Sequence, residues 1–181
     1  MYWYKIPARN LTLMVCSCLL FSNCKPVVSH DGRPPYFDLK AYFTAEAQRL
    51  GKQQRLILKT VNYNNQPEEK DVAIKNWQRE LALFTESDIN KPSWRDSYKK
   101  TANNDSIVYR AVDTNLNTRY ISIHLKAKQV SGIRIVNFTK NLLYQTKENL
   151  SYYPDSLYKI EKHQSVKILG ANNYEITGKF K

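Results

Sequence analysis

From Asp105 to the last residue the chain alternates apolar and polar side chains almost without a break, and no other feature constrains its fold as strongly. The runs "SIVYRAV", "RYISIHLKA", "GIRIVNF", "NLLYQTKE", "LYKIEKHQSVKIL" and "NYEITGKF" are separated by turn-forming clusters such as Asp113 to Thr118, Thr139 to Asn141 and Gly170 to Asn173. A period of two marks half-buried strands. Connections this short leave no room for crossover helices, so successive strands are expected to run antiparallel, as a meander. With Ile121, Ile123 and Leu125 on one side of their strand and Ser122, His124 and Lys126 on the other, one sheet face meets a core and the other meets solvent or a cleft.

The first half of the chain adds helices and a hairpin. "DLKAYFTAEAQRLG" places Leu39, Phe43, Ala47 and Leu50 on one helical face, with Asp38 able to cap the start and Gly51 placed to end it. Leu56 to Val61 and Val72 to Ile74 alternate about a hairpin turn at Asn64 to Pro67. Asn76 caps a second helix, "WQRELALFTES", with Trp77, Leu81 and Phe84 on one face. After it, "DINKPSWRDSYKKTANN" reads as a long irregular connection anchored by Trp94 and Tyr98. The expected fold is α+β: a twisted antiparallel meander with two N-terminal-half helices packed on it, forming one domain over residues 38–181.

The first 37 residues have a different character. Lys5 and Arg9 precede an 11-residue apolar run, "LTLMVCSCLLF" (Leu11 to Phe21), which is too short to span a bilayer and has the layout of a secretory signal. The following "LLFSNCK" resembles the lipobox of bacterial lipoproteins, in which an apolar residue and two small residues precede an obligatory cysteine. Asn23 departs from the usual Gly or Ala. The resemblance implies cleavage before Cys24, with residues 1–23 removed and the Cys24 thiol carrying a diacylglycerol.

Cysteine usage fits this expectation. Cys16 and Cys18 leave with the signal, so the exported chain keeps only Cys24, and a lipid consumes it. A cytosolic protein with three ordinary thiols is the blander alternative. Residues 24–37 then form the anchor and tether, with "KPVVSHDGRPP" lacking hydrophobic periodicity. By resemblance to lipoprotein sorting rules, Lys25 in place of Asp implies delivery to the outer membrane, facing the periplasm.

Beyond the leader, "NWQRELALFTESDINKPSWRDSY", "NLLYQTKENLSYYPDSLYKI" and "NNYEITGKF" resemble segments of uncharacterised lipoproteins of the Bacteroidota. The resemblance covers most of the mature chain. It implies location and fold, and no activity to carry over residue by residue.

No catalytic motif accompanies this frame. His30, His124 and His163 lack close ligand partners, no GxSxG elbow occurs, and five glycines form no phosphate-cradling run, so no metal or cofactor is expected. Glu80 and Glu86 read as solvated helix charges. A Ser, His, Asp triad involving His124 stays open, because its members need not be close in sequence.

Charge and tyrosine are the remaining signals. Without Lys5 and Arg9, 26 cations face 16 acids, scattered along strands rather than gathered. Export makes nucleic acid an unexpected partner. Anionic lipid headgroups or acidic glycans fit better, although scattered lysines also keep a sheet soluble and blunt its edges. Among 13 tyrosines, Tyr152, Tyr153 and Tyr158 in "LSYYPDSLY", with Trp94, form a candidate aromatic binding set. Tyrosine is also a strong strand former that tolerates half-burial, and the structural reading is the favoured one. Two functional readings follow: a non-catalytic envelope protein that binds or scaffolds a partner, or a carrier sheltering an apolar ligand between sheet and helices.

Overall fold

The computed structural model describes residues 34–181; the leader, Cys24 and most of the tether lie outside them. The described chain is mainly β. One antiparallel nine-stranded sheet carries a few helices, so the α+β expectation holds in outline. Strands β1 (Leu56–Tyr63), β2 (Gln66–Ala73), β3 (Tyr98–Ala102), β4 (Ser106–Ala111), β5 (Thr118–Lys126), β6 (Gln129–Lys140), β7 (Tyr144–Tyr153), β8 (Leu157–Val166) and β9 (Gly170–Phe180) are ordered β2-β1-β9-β8-β7-β6-β5-β4-β3. Strands β3 to β9 therefore form the expected meander, and the early hairpin joins it through β1 alongside β9.

Local chemistry accounts for most element boundaries. The β1–β2 turn is the pair Asn64 and Asn65, both at positive φ (48° and 67°), a conformation asparagine tolerates and tight hairpins favour. Pro67 lies within β2, which is an outermost strand, so its missing N–H interrupts no inner ladder. Helix α1 (Leu39–Gln53) starts where Asp38 accepts the Ala41 N–H at 2.7 Å. It runs past Gly51, the expected stop, and ends at Gln54 in the left-handed region.

The expected second helix is two short ones, α2 (Trp77–Glu80) and α3 (Ala82–Glu86), divided at buried Leu81; Asn76 caps the first at 2.9 Å through Arg79 N. Likewise, the "long irregular connection" resolves into a 3-10 turn (Pro92–Trp94) and strand β3. The chain here has to travel from one edge of the sheet to the other. Trp77 packs on Tyr158 and Phe180, Phe84 on Tyr152, Ser87 Oγ accepts from Asn137, and Trp94 meets Tyr98. The segment is a strap laid across β9, β8, β7, β6 and β3, and its length follows from that span.

Under α1 and the strap lies the core. Leu39, Phe43, Ala47 and Leu50 of α1 meet Ile121, Ile123, Ile133, Ile135, Leu150 and Ile160 of the sheet, all buried. Tyr36 and Phe37, which composition assigns to the tether, belong to this body. Tyr36 is buried with its ring edge-on to Tyr98 and Tyr109, and Phe37 N donates to the Tyr109 hydroxyl at 3.1 Å. At the other end Lys181 N donates to Leu56 O. Every buried apolar side chain of the described chain falls between Tyr36 and Ile160, with Phe180 packed against them. Residues 34–181 thus carry a core of their own and form one compact unit, as an independently folding domain does.

Two tyrosine–carboxylate contacts pin the helices to the sheet. Tyr152 donates to Glu46, which Arg49 also grips through both oxygens at 2.8 and 2.9 Å. Tyr158 donates to Glu80 at 2.5 Å, and Lys59 Nζ lies 2.5 Å from the same oxygen. Glu80 is therefore a partly buried strut rather than a solvated charge. Burial first, and the adjacent carboxylate second, raise the pKa of both hydroxyls well above the ordinary value of 10.0.

Unfolded tyrosine ionises near 10 whereas these two do not, so their contribution is complete below pH 10 and is lost as pH rises above it. Each weakens the fold by about 1.4 kcal/mol per pH unit in that range. An alkaline titration is expected to show the last tyrosinate absorbance appearing together with loss of the circular dichroism signal. Ionisation of all tyrosines in a still-folded protein would contradict this assignment.

Candidate functional site

Strand alternation gives the sheet two unlike faces. Helices and strap cover the face built from Ile57, Tyr158, Tyr152, Ile133 and Ile123. The other carries no helix, and its side chains follow from the register. One row runs Asn62, Glu175, Glu161, Asn149, Val136, Tyr120, Arg110, Lys99; the next runs Thr60, Thr177, Lys159, Ser151, Arg134, Ser122, Val108, Thr101. Such a face is mostly polar and net basic.

Where β1, β9, β8 and β7 adjoin, this face holds a concavity of about 250 Å³ lined by Asn62, Asn65, Lys147, Asn149, Glu161, His163, Asn173 and Glu175, with Lys162 and Tyr174 at its margin. Glu161 and Glu175 are directly opposed across β8 and β9. Like charges so placed repel. Lys159 Nζ lies between them, 2.9 Å from Glu161 and 3.1 Å from Glu175, and its pKa is raised by those contacts, the Glu161 bond first.

The His163 ring contacts Asn173 Oδ1, while Asn173 N donates to Asn64 Oδ1 at 2.8 Å. Asn62 Oδ1 is buried without a hydrogen-bond partner. Amide, carboxylate and ammonium groups thus alternate over a few ångströms, an arrangement able to donate to and accept from a ligand with several hydroxyls. The shared lysine suits it poorly to acid/base catalysis, because both carboxylates already engage one cation.

The aromatic candidates do not assemble into a surface. Tyr152 and Tyr158 face each other across the β7–β8 hairpin, but both are fully buried on the core side, their hydroxyls committed to Glu46 and Glu80. Tyr153 points to the open face, where its ring covers Gly132; a β-carbon there would lie 3.0 Å from that ring. Trp94 sits at the β3 edge, its ring under Lys91 Nζ at 3.9 Å. Cys24 lies outside the described residues.

His124 lies on the open face with Nε2 3.2 Å from Ser122 Oγ. Among the described residues no carboxylate hydrogen-bonds to that ring, and Ser122 is itself buried, so the pair lacks both a third member and access. No cluster of three metal-ligating side chains occurs among the described residues. The space a carrier needs between sheet and helices is filled by Phe43, Phe84, Tyr152, Trp77 and Phe180, whose rings stand 4.8 to 6.1 Å apart. The nearest opening, between α1 and the strap, is about 160 Å³ and reaches the surface beside Thr44 and Gln78.

Fold and site together define a mainly antiparallel β domain with one helix-covered face and one open polar face. Compared with family models, curated proteins and solved structures, the chain matches none of them.

Proposed function

We propose that the chain is a lipid-anchored protein of a Gram-negative envelope, held at the outer membrane through Cys24 and facing the periplasm. In this reading its domain is a non-catalytic binding module whose open sheet face takes an anionic, hydroxyl-rich ligand such as an acidic glycan. The observation that supports it is the concavity between Asn62, Asn149, Glu161 and Glu175, set in a face that also carries the basic Lys99, Arg110, Arg134 and Lys147, with the acidic Glu69 at its β2 edge. Hydroxyls pair with the amides and carboxylates, and the surrounding cations favour an acidic chain.

Two measurements test the two parts. For the anchor, the full chain expressed in a Gram-negative host beside Cys24→Ser is expected to lose residues 1–23, gain acyl mass and enter the membrane fraction only with the cysteine present. For the ligand, calorimetric titration with a uronic-acid oligosaccharide is expected to give binding that Glu161→Gln together with Lys147→Ala weakens by about tenfold, the effect of losing one or two hydrogen bonds to charged groups. Equal affinity of wild type and variant would remove the open face from the proposal.

A further inference from the structure

Of the eight large apolar side chains exposed among the described residues, five stand on two adjacent hairpin tips. Leu142 and Leu143, 83% and 69% exposed, form the β6–β7 tip with Tyr144 behind them, and Ile168 and Leu169, 89% and 80% exposed, form the β8–β9 tip. Sequence alternation predicts strand through Leu142 and a turn at Gly170 to Asn173; instead the first strand begins at Tyr144 and the second turn falls at Lys167–Leu169. Turn tips ordinarily carry polar residues.

Both tips are closed by tight turns, and a backbone hydrogen bond joins them. Asn141 Oδ1 accepts from Leu143 N and Tyr144 N, each at 2.9 Å, and Asn141 N closes the turn on Tyr144 O. Gly170, at φ 85°, supplies the left-handed residue that closes the other turn. Lys167 N donates to Leu143 O at 3.2 Å, so the four aliphatic side chains share one knob. Lys140 and Lys167 flank it, and neither residues 138–147 nor residues 162–174 contain an acid.

We propose that this knob is a membrane-penetrating surface, inserted in the headgroup region of a bilayer rich in anionic phospholipid. A protruding apolar tip needs no shaped receptor in a fluid interface, and a lysine collar matches lipid phosphates. Tyr144 stands where interfacial aromatics sit. A second copy of this chain fits less well, because it would bring one basic collar against another. Tyr36 packs on Tyr98 and Tyr109 at the same end of the sheet as the tips.

The inference stands apart from the lipid anchor, and residues 34–181, which carry their own core and lack Cys24, test it alone. The experiment is flotation with vesicles of equal parts phosphatidylglycerol and phosphatidylcholine, beside phosphatidylcholine alone. Binding to the anionic vesicles is expected to fall by on the order of 30-fold in Leu142→Ser/Leu143→Ser/Ile168→Ser/Leu169→Ser. Lys140→Gln/Lys167→Gln is expected to weaken it by about tenfold, on anionic vesicles only. Neither variant touches the core, so an unchanged melting temperature checks the fold. Equal binding by wild type and the serine variant overturns the proposal. So does a wild type that ignores vesicles but dimerises in gel filtration while the serine variant stays monomeric, an outcome assigning the knob to self-association.

Discussion

Gly178→Ala is expected to destabilise the protein by about 3 kcal/mol, or to prevent folding altogether. A β-carbon at this position in β9 would press into the Tyr158 ring, standing 2.6 Å from its hydroxyl oxygen. The ring cannot withdraw. Its hydroxyl is bonded to Glu80 at 2.5 Å, and Trp77 and Phe180 hold it edge-on at 6.1 and 6.3 Å. Moving it would strip Glu80 of a donor as well as disturb the packing. The cause is separable from backbone effects by a second background. In Tyr158→Leu, where the far side of the ring is gone, the alanine is expected to weaken the fold by less than about 1 kcal/mol, measured as coupling in urea melts. Additivity of the two changes would refute the contact. Gly132 is the contrasting case, because Tyr153 above it is half exposed on the open face and free to swing away.

Phe43→Ala is expected to cost about 4 kcal/mol. Phe43 has no exposed surface, and its ring lies 4.8 Å from Phe84 on the strap and 5.2 Å from Tyr152 on the sheet. It is the side chain at which α1, the strap and β7 meet. Truncating it opens a void that backbone hydrogen bonds on three elements prevent from closing. A urea midpoint shift without a change in slope is the expected signature. A loss below about 1 kcal/mol would mean that the helical layer contributes little to the stability of the sheet.

Much of this architecture is legible along the chain because it depends on near neighbours. Alternation locates the later strands, and Asp38 and Asn76 cap the helices the sequence assigns to them. The Asn64–Asn65 turn follows from tolerance of positive φ. Misjudged elements share another property. Glu80 reads as a solvated helix charge until Tyr158, 78 residues later, is laid under it. His163 falls within an expected strand, yet only the register sets it opposite Lys147 and Asn173. Tyr152 and Tyr158 look like surface aromatics because Tyr and Trp are enriched both at interfaces and in strands, and composition alone cannot say which face they take.

By itself the sequence determined the antiparallel pairing, the number of late strands and the caps, since period, propensity and turn chemistry act over a few residues. Tertiary structure alone decided that β1 joins β9, that the strap crosses one face and leaves the other open, and that Leu142 and Leu143 stand beside Ile168 and Leu169. These are matters of register between segments tens of residues apart. A shift of one residue in that register would turn every side chain of a strand to the opposite face.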